Sequence, residues 1–230
     1  MEKQQMRISP TRVPLILASG GLDSTWLLYE RMQHTDVDIL YVRNPQDEAK
    51  AKVEMRALAK ITDWLERAMP HRVRNFYVST LGESNTSDDT RHAQVLSWVQ
   101  AAMLVGSSRH HTSVEIGYVQ GDTVAQKLPD IIRAWDALKS ILKLNPVDLV
   151  FPLAYVPKSE ILRAMQSELL ALVWYCDYPG SLEDGSPLPP PCNECPSCIR
   201  HQGEVYVAKL KADLKARGVP DEISKGKRLS

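Results

Sequence analysis

The sequence has no surplus of either charge: 28 Lys plus Arg stand against 28 Asp plus Glu in 230 residues. That balance argues against a protein that coats nucleic acid through bulk electrostatics, which needs a clear excess of cations. It leaves a small nucleotide open as a substrate. Long apolar runs are also missing; Leu169 to Trp174 is among the longest, far short of the ~20 residues that a bilayer span requires. The stretch from Met1 to Arg12 is polar and has no apolar signal core. These absences predict a soluble, cytoplasmic protein without a membrane role. Cysteine is absent until Cys176, and then Cys176, Cys192, Cys195 and Cys198 follow close together. In a cytoplasmic chain such clustering reads as metal binding before it reads as disulfides. Disorder is excluded by composition, since 43% of residues are hydrophobic and 24% charged.

What is present is an alternation of short β-rich runs with helix-period segments, the pattern of an α/β fold with an open, mainly parallel sheet and helices on both faces. Strands are expected at Pro14 to Ala18, Val37 to Val42, Val73 to Val78, Ser113 to Val119 and Asp148 to Phe151. Helices are expected at Leu22 to Met32, Asp47 to Ala68, Arg91 to Gly106, Pro129 to Leu142 and Pro157 to Gln166, the last two led by proline where its missing N–H costs nothing. Leu81 to Thr90 is polar and rich in turn formers. After Tyr178 the composition changes to a proline-rich loop that leads into the cysteine cluster. The chain divides on this reading into residues 1–178, an α/β domain; 179–203, the proline-rich loop and a cysteine knuckle packed on it; and 204–230, a helix and a basic tail.

Ser19-Gly20-Gly21-Leu22-Asp23-Ser24 falls directly between the first strand and the first helix. Paired glycines let the backbone turn sharply and approach a ligand closely. The amides at the helix start make an anion site, and Ser19 and Ser24 add hydroxyl donors. Asp23 is out of place in a pure anion hole and makes sense if Mg²⁺ accompanies phosphate. The loop lacks the Gly-Lys-Ser/Thr ending of a Walker A motif and the GxGxxG spacing of a dinucleotide fold. It resembles the SGGxDS loop of the N-type ATP pyrophosphatases, the PP-loop superfamily. That resemblance implies ATP cleavage between the α- and β-phosphates and adenylation of a carboxylate, amide or carbonyl oxygen.

Cys192-x₂-Cys195-x₂-Cys198 with Cys176 offers four thiolates. Tetrahedral Zn²⁺ takes such a set, and with all four cysteines consumed the ion would be structural. An Fe–S cluster also uses four thiolates, and a redox dithiol is a third reading.

The two motifs together resemble the 7-cyano-7-deazaguanine synthase family, as a divergent member. The resemblance runs from about Leu15 to Gly203, in the family's order. It includes Arg91-x₄-Leu96-Ser97, Ile116-Gly117 with Asp122, Pro129-Asp130, Phe151-Pro152-Leu153 with Lys158-Ser159-Glu160-Ile161, Trp174-Tyr175-Cys176, and the knuckle closing on Arg200. The resemblance implies an adenine nucleotide alpha hydrolase-like fold and a homodimer. Its reaction is an ATP-dependent ligation. 7-Carboxy-7-deazaguanine is adenylated, ammonia gives an amide, and a second ATP leads to the nitrile, as in queuosine biosynthesis. Ala18 to Ser24, Arg91 and Lys158 would bind Mg²⁺-ATP, with Ser19, Asp23, Ser24 and Lys158 taking part in catalysis. Asp122, Asp130 and Trp174 would meet the base, and the four cysteines would hold Zn²⁺. Taken singly, Lys158 reads as a solvated helix residue, Asp122 as a turn residue beside Gly121, Asp130 as a first-turn carboxylate and Trp174 as core. His110-His111 reads as a surface pair.

The chain departs from the family pattern in places. Tyr41 to Gln46 stands where the family carries an Asp-Tyr-Gly segment, His92 replaces Asn, Thr123 to Leu128 replaces a tyrosine-bearing stretch, and Tyr175 replaces Ser. These changes cluster where base or nucleophile should lie. They fit a relative that passes the adenylated deazaguanine to an amine on a protein or nucleic acid, of the kind found in phage and antiphage gene clusters. A tRNA-modifying PP-loop enzyme and a catalytically silent nucleotide-binding module are the remaining readings.

Overall fold

The computed structural model describes residues 12–45, 47–80, 90–108, 110–144, 147–179 and 188–216. Five strands form one sheet: β1 (Val13–Leu17), β2 (Val37–Arg43), β3 (Val73–Thr80), β4 (His111–Ile116) and β5 (Asp148–Val150). Their spatial order is β3-β2-β1-β4-β5 and every pairing is parallel. The helices are α1 (Leu22–Met32), α2 (Glu48–Ala68), α3 (Thr90–Ser108), α4 (Leu128–Leu142), α5 (Lys158–Ala164), α6 (Ser167–Leu170) and α7 (Pro196–Ala216). Among the described residues no helix is long and apolar enough to cross a membrane.

Successive strand residues point to opposite faces, so β1 feeds two cores. Ile16 joins Ile39, Tyr41, Leu58 and Ile161 on the side of α1, α2 and α5. Leu15 joins Leu40, Val114, Leu149, Trp98 and Trp135 on the side of α3 and α4. Burial on both faces is why β1 and β2 read as nearly continuous apolar runs.

Some expected bounds shift, for physical reasons. β4 begins at His111, a residue the sequence suggests is at the surface. His111 and Asp38 are fully buried, and His111 Nε2 lies 2.9 Å from Asp38 Oδ2, the two coming from the strands that flank β1. β4 stops at Ile116 rather than Val119 because Gly117 then tucks against the Asp23 backbone. Thr123–Lys127 forms a 3-10 turn and α6 adds one short helix, neither expected. α7 starts inside the cysteine knuckle and runs unbroken through Gly203. Most of the polar loop from Leu81, most of the proline-rich loop and the basic tail lie outside the described residues.

In an open parallel sheet, ligands bind beyond the carboxyl ends of the strands, where chain progression reverses. Here the chain runs from β1 through β2 to β3 on one side and returns through β4 to β5 on the other. The reversal lies between β1 and β4, so the loops after these two strands meet at one crevice.

Candidate functional site

The phosphate loop occupies that crevice. Gly20 takes φ 79°, and a Cβ there would stand 3.2 Å from the Glu54 carbonyl and from the Leu58 amide nitrogen, so the position needs glycine. Within the loop, Ser19 N–H donates to Ser24 Oγ at 3.4 Å and Ser24 Oγ donates to the Gly21 carbonyl at 3.2 Å. Gly21 is the N-cap of α1 and supplies no side-chain cap. The first-turn amides of α1 are therefore left for an anion, in line with the helix dipole.

Two structural links bring other segments to the loop. A bridge between Gln120 and Pro157 sets the segment after β4 beside the start of α5. It places Lys158 Nζ 3.2 Å from Asp23 Oδ2 and 3.7 Å from Asp122 Oδ1. On the other side, Trp174 N–H donates to the Gly20 carbonyl at 2.9 Å, so the strand of chain leading to Cys176 is pinned to the loop. Ser19, Gly21, Asp23, Ser24, Asp122 and Lys158 all line one cavity of about 390 Å³.

The electrostatics of this group are mixed. Burial raises the Asp23 carboxyl from 3.8 to about 6 against the pull of Lys158, with Asp122 adding to the rise. Lys158 is pushed down by burial, but Asp23, Asp122 and Glu204 outweigh this and its net shift is upward. Asp23 Oδ1 is buried and has no hydrogen-bond partner among the described residues. An orphaned carboxylate oxygen beside an anion loop fits a divalent cation that arrives with phosphate. Asp23, with Asp122 nearby, would hold Mg²⁺, which screens phosphate charge and polarises its oxygens.

The four cysteines lie together, with all Sγ atoms within 4.8 Å of one another. Backbone amides point at the sulfurs: Asp177 N–H and Cys198 N–H to Cys195 Sγ, both at 3.4 Å, and Cys195 N–H to Cys192 Sγ at 3.3 Å. Burial opposes ionisation of Cys195, yet the Asp177 and Cys198 amides, with the neighbouring Cys198 and Cys192 thiols, lower it to about 6. A closed set of four sulfurs with thiolate-stabilising amides fits a metal ion or cluster. Trp174, Cys176, Cys195 and Cys198 pack on Val53 and Ala57 of α2, so a metal here would join the knuckle to the Cys176 segment while the cluster rests on the helix behind the phosphate loop.

The remaining expected residues separate. Trp174 is buried and donates from Nε1 to the Cys176 carbonyl, as a core residue would, but it also lines the cavity. Ala18 is buried just before the loop. Asp130 is not brought to the cavity; its side chain is 67% exposed and pairs with Arg133, a neighbour one turn along α4. Arg91 falls in the first turn of α3, and its side chain lies outside the described residues. The structure adds residues that the sequence reading missed. Lys50 and Glu54 of α2 line the cavity, as do Arg200, His201 and Glu204 of α7. Spacing of three and four residues puts the α7 set on one face of the helix. In the sequence the same spacing is indistinguishable from a solvated helix face.

No protein-family model matches the chain. It is 27% identical over 231 residues to 7-cyano-7-deazaguanine synthase of Pyrococcus abyssi, covering 84% of this chain and 92% of that protein. The chain is thus similar over most of its length to a 7-cyano-7-deazaguanine synthase. A solved structure, the U34-tRNA thiolase NcsA from Methanococcus maripaludis with its 4Fe-4S cluster, superposes with a TM-score of 0.49 at 16% identity, covering 92% of this chain and 68% of that one. The loop at the switch point and the similarity to the synthase support a PP-loop, ATP-using enzyme with a four-cysteine group that could hold a metal.

Proposed function

We propose that this protein uses ATP to adenylate the carboxylate of 7-carboxy-7-deazaguanine, releases diphosphate, and lets ammonia displace AMP; a second adenylation of the amide then yields the nitrile. The observation that carries the reading is the junction of Ser19 to Ser24 with Asp23, Asp122 and Lys158 in one cavity, in a chain whose synthase relative is named for that product. The loop amides and Lys158 would hold the phosphates and stabilise the charge that builds on them in the transition state. Asp23 would hold Mg²⁺. Ser19 and Ser24 would donate to the departing diphosphate, with Arg91 as a further cation for it. Tyr118, Trp174 and Tyr175 line the cavity, where a flat base would meet aromatic side chains. Asp122, and Glu204 across the cavity, would accept hydrogen bonds from the base's amine edge. Cys176, Cys192, Cys195 and Cys198 would bind a structural Zn²⁺.

The test is incubation with ATP, ammonium and 7-carboxy-7-deazaguanine, read by mass spectrometry. The reading expects AMP, diphosphate and a product carrying the nitrile; no acid-dependent AMP overturns it. A second reading, transfer to an amine on a larger molecule, is favoured by one observation. Tyr175 and His201, stacked at 3.8 Å, line both this cavity and an adjoining groove of about 380 Å³ that includes Val205, Tyr206 and Lys209. AMP release without nitrile, which rises when a protein or nucleic-acid acceptor is added, would select it.

A further inference from the structure

The cavity holds a second charged group, on α2, that activation of an acid by ATP does not use. Glu54 lines the cavity one helical turn after Lys50. Its helix backs directly onto the loop, with the Glu54 carbonyl 3.2 Å from where a Cβ of Gly20 would stand. Tyr41, buried on β2, donates from its hydroxyl to Glu54 Oε2 at 2.9 Å. Lys50 Nζ turns instead to Asp177 Oδ1, at 2.8 Å. Among the described residues no hydrogen bond is made to Glu54 Oε1. One carboxylate oxygen is thus held by a fixed donor and the other is left without one.

The geometry points to Glu54 as the group that takes the proton from an amine nucleophile as it displaces AMP from the adenylated acid, with Tyr41 positioning the carboxylate. This inference rests on the adenylation reading above. In the step, the nitrogen lone pair forms the C–N bond, the acyl C–O bond to phosphate breaks, and AMP leaves with that electron pair. The N–H proton passes to Glu54 Oε1. An amine adding to an acyl group becomes strongly acidic and needs an acceptor within the dry site, and a base serves best when its pKa lies near the working pH. Burial raises the Glu54 carboxyl from 4.5 to about 7; the Lys50 ammonium and the Tyr41 hydroxyl restrain the rise, and Asp47 and Asp177 add to it. A carboxylate this buried is costly to keep charged unless it has a use.

The test separates two partial reactions with 7-carboxy-7-deazaguanine as the acid. Exchange of labelled diphosphate into ATP needs adenylation alone. Amide formation with ammonium needs the proton transfer as well. In Glu54→Gln, exchange is expected to fall no more than about fivefold while amide formation falls about 10²- to 10⁴-fold. With hydroxylamine, whose adduct sheds its proton more easily, the deficit should shrink at least tenfold. Tyr41→Phe keeps the base but removes a hydrogen bond that favours its charged form. At constant free ammonia, its rate should therefore reach half-maximum at higher pH than in the unaltered protein, and this variant carries the test should Glu54→Gln not fold. Equal loss of both partial reactions, equal deficits with the two nucleophiles, a raised KM for ATP as the only effect, or an unmoved midpoint in Tyr41→Phe overturns the inference and leaves adenylation standing. Absence of exchange in the unaltered protein overturns adenylation and this inference together.

Discussion

Gly117 is the residue on which the meeting of β4 with the phosphate loop depends. A Cβ added there would lie 2.9 Å from the Asp23 carbonyl oxygen, 3.0 Å from its carbon and 3.2 Å from the Ser24 nitrogen. All three are backbone atoms in the first turn of α1, so no side chain can swing aside. Ordinary contact begins near 3.4 Å, and Gly117→Ala therefore asks the loop and the strand end to part by about 0.5 Å. Overpacking of this kind costs about 1–3 kcal/mol, which for a chain of this length lowers Tm by about 2–12 °C. The catalytic effect is separable. A displacement of 1 Å in a positioned group can cost about 10²-fold, so half of that predicts about a tenfold drop in kcat/KM for acid-dependent AMP release. Gly203→Ala is the control. At Gly203, exposed on α7, a Cβ meets nothing within 4 Å, and replacing glycine within a helix should raise stability by about 0.5–1 kcal/mol. Thermal unfolding and AMP release measured on both variants check the argument. Gly117→Ala with unaltered Tm and rate would refute the close approach of β4 to the loop.

Other consequences follow from the same geometry. Because Asp23 is raised from 3.8 to about 6 in the folded chain, its protonated form is the one that folding favours. Its contribution to stability is full below about pH 4 and is lost as pH rises through about 6, on the order of 3 kcal/mol, which chemical denaturation across this range would show. Since a cation needs the carboxylate, Mg²⁺-ATP affinity should change the opposite way, rising about tenfold per pH unit below pH 6 and levelling above it; a flat calorimetric profile contradicts this. Lys158→Met removes the cation that holds Asp23 down, so the midpoint of Mg²⁺-ATP binding should move to higher pH and kcat should fall about 10²- to 10³-fold. Cys198→Ser should abolish stoichiometric metal in elemental analysis and lower Tm, because the buried knuckle loses the metal that would tie it to Cys176.

Much of this arrangement could be read in the sequence. The interval from Leu17 to Leu22 carries its own chemistry, and a strand, two glycines and a helix start admit few other conformations, so α1 lies where the pattern puts it. Cys-x₂-Cys spacing likewise survives into a tight cluster. What failed were inferences for residues whose distant partners carry no mark in the sequence. His111 looks like a surface residue until Asp38 is found opposite it in the sheet. Asp130 matches the family's pattern yet faces solvent, because a carboxylate in a first helical turn is as well satisfied by a following arginine as by a ligand. Glu54, Lys50 and Glu204 sit on long helices among many charged residues, and only the packing of those helices round the loop distinguishes them. The helix expected from residue 204 begins earlier, at Pro196, although cysteine and glycine disfavour helix locally. Tertiary packing of the knuckle overrides that preference.

The central claim is that the carboxylate of the acid attacks the α-phosphate of ATP. Acid labelled with ¹⁸O in its carboxylate, incubated with ATP and ammonium, tests it most directly. Each AMP should carry one ¹⁸O in its phosphate, two such AMP for each acid carried to the nitrile, and Asp23→Ala should remove both the AMP and the label. Unlabelled AMP, or ADP with inorganic phosphate, would contradict the account.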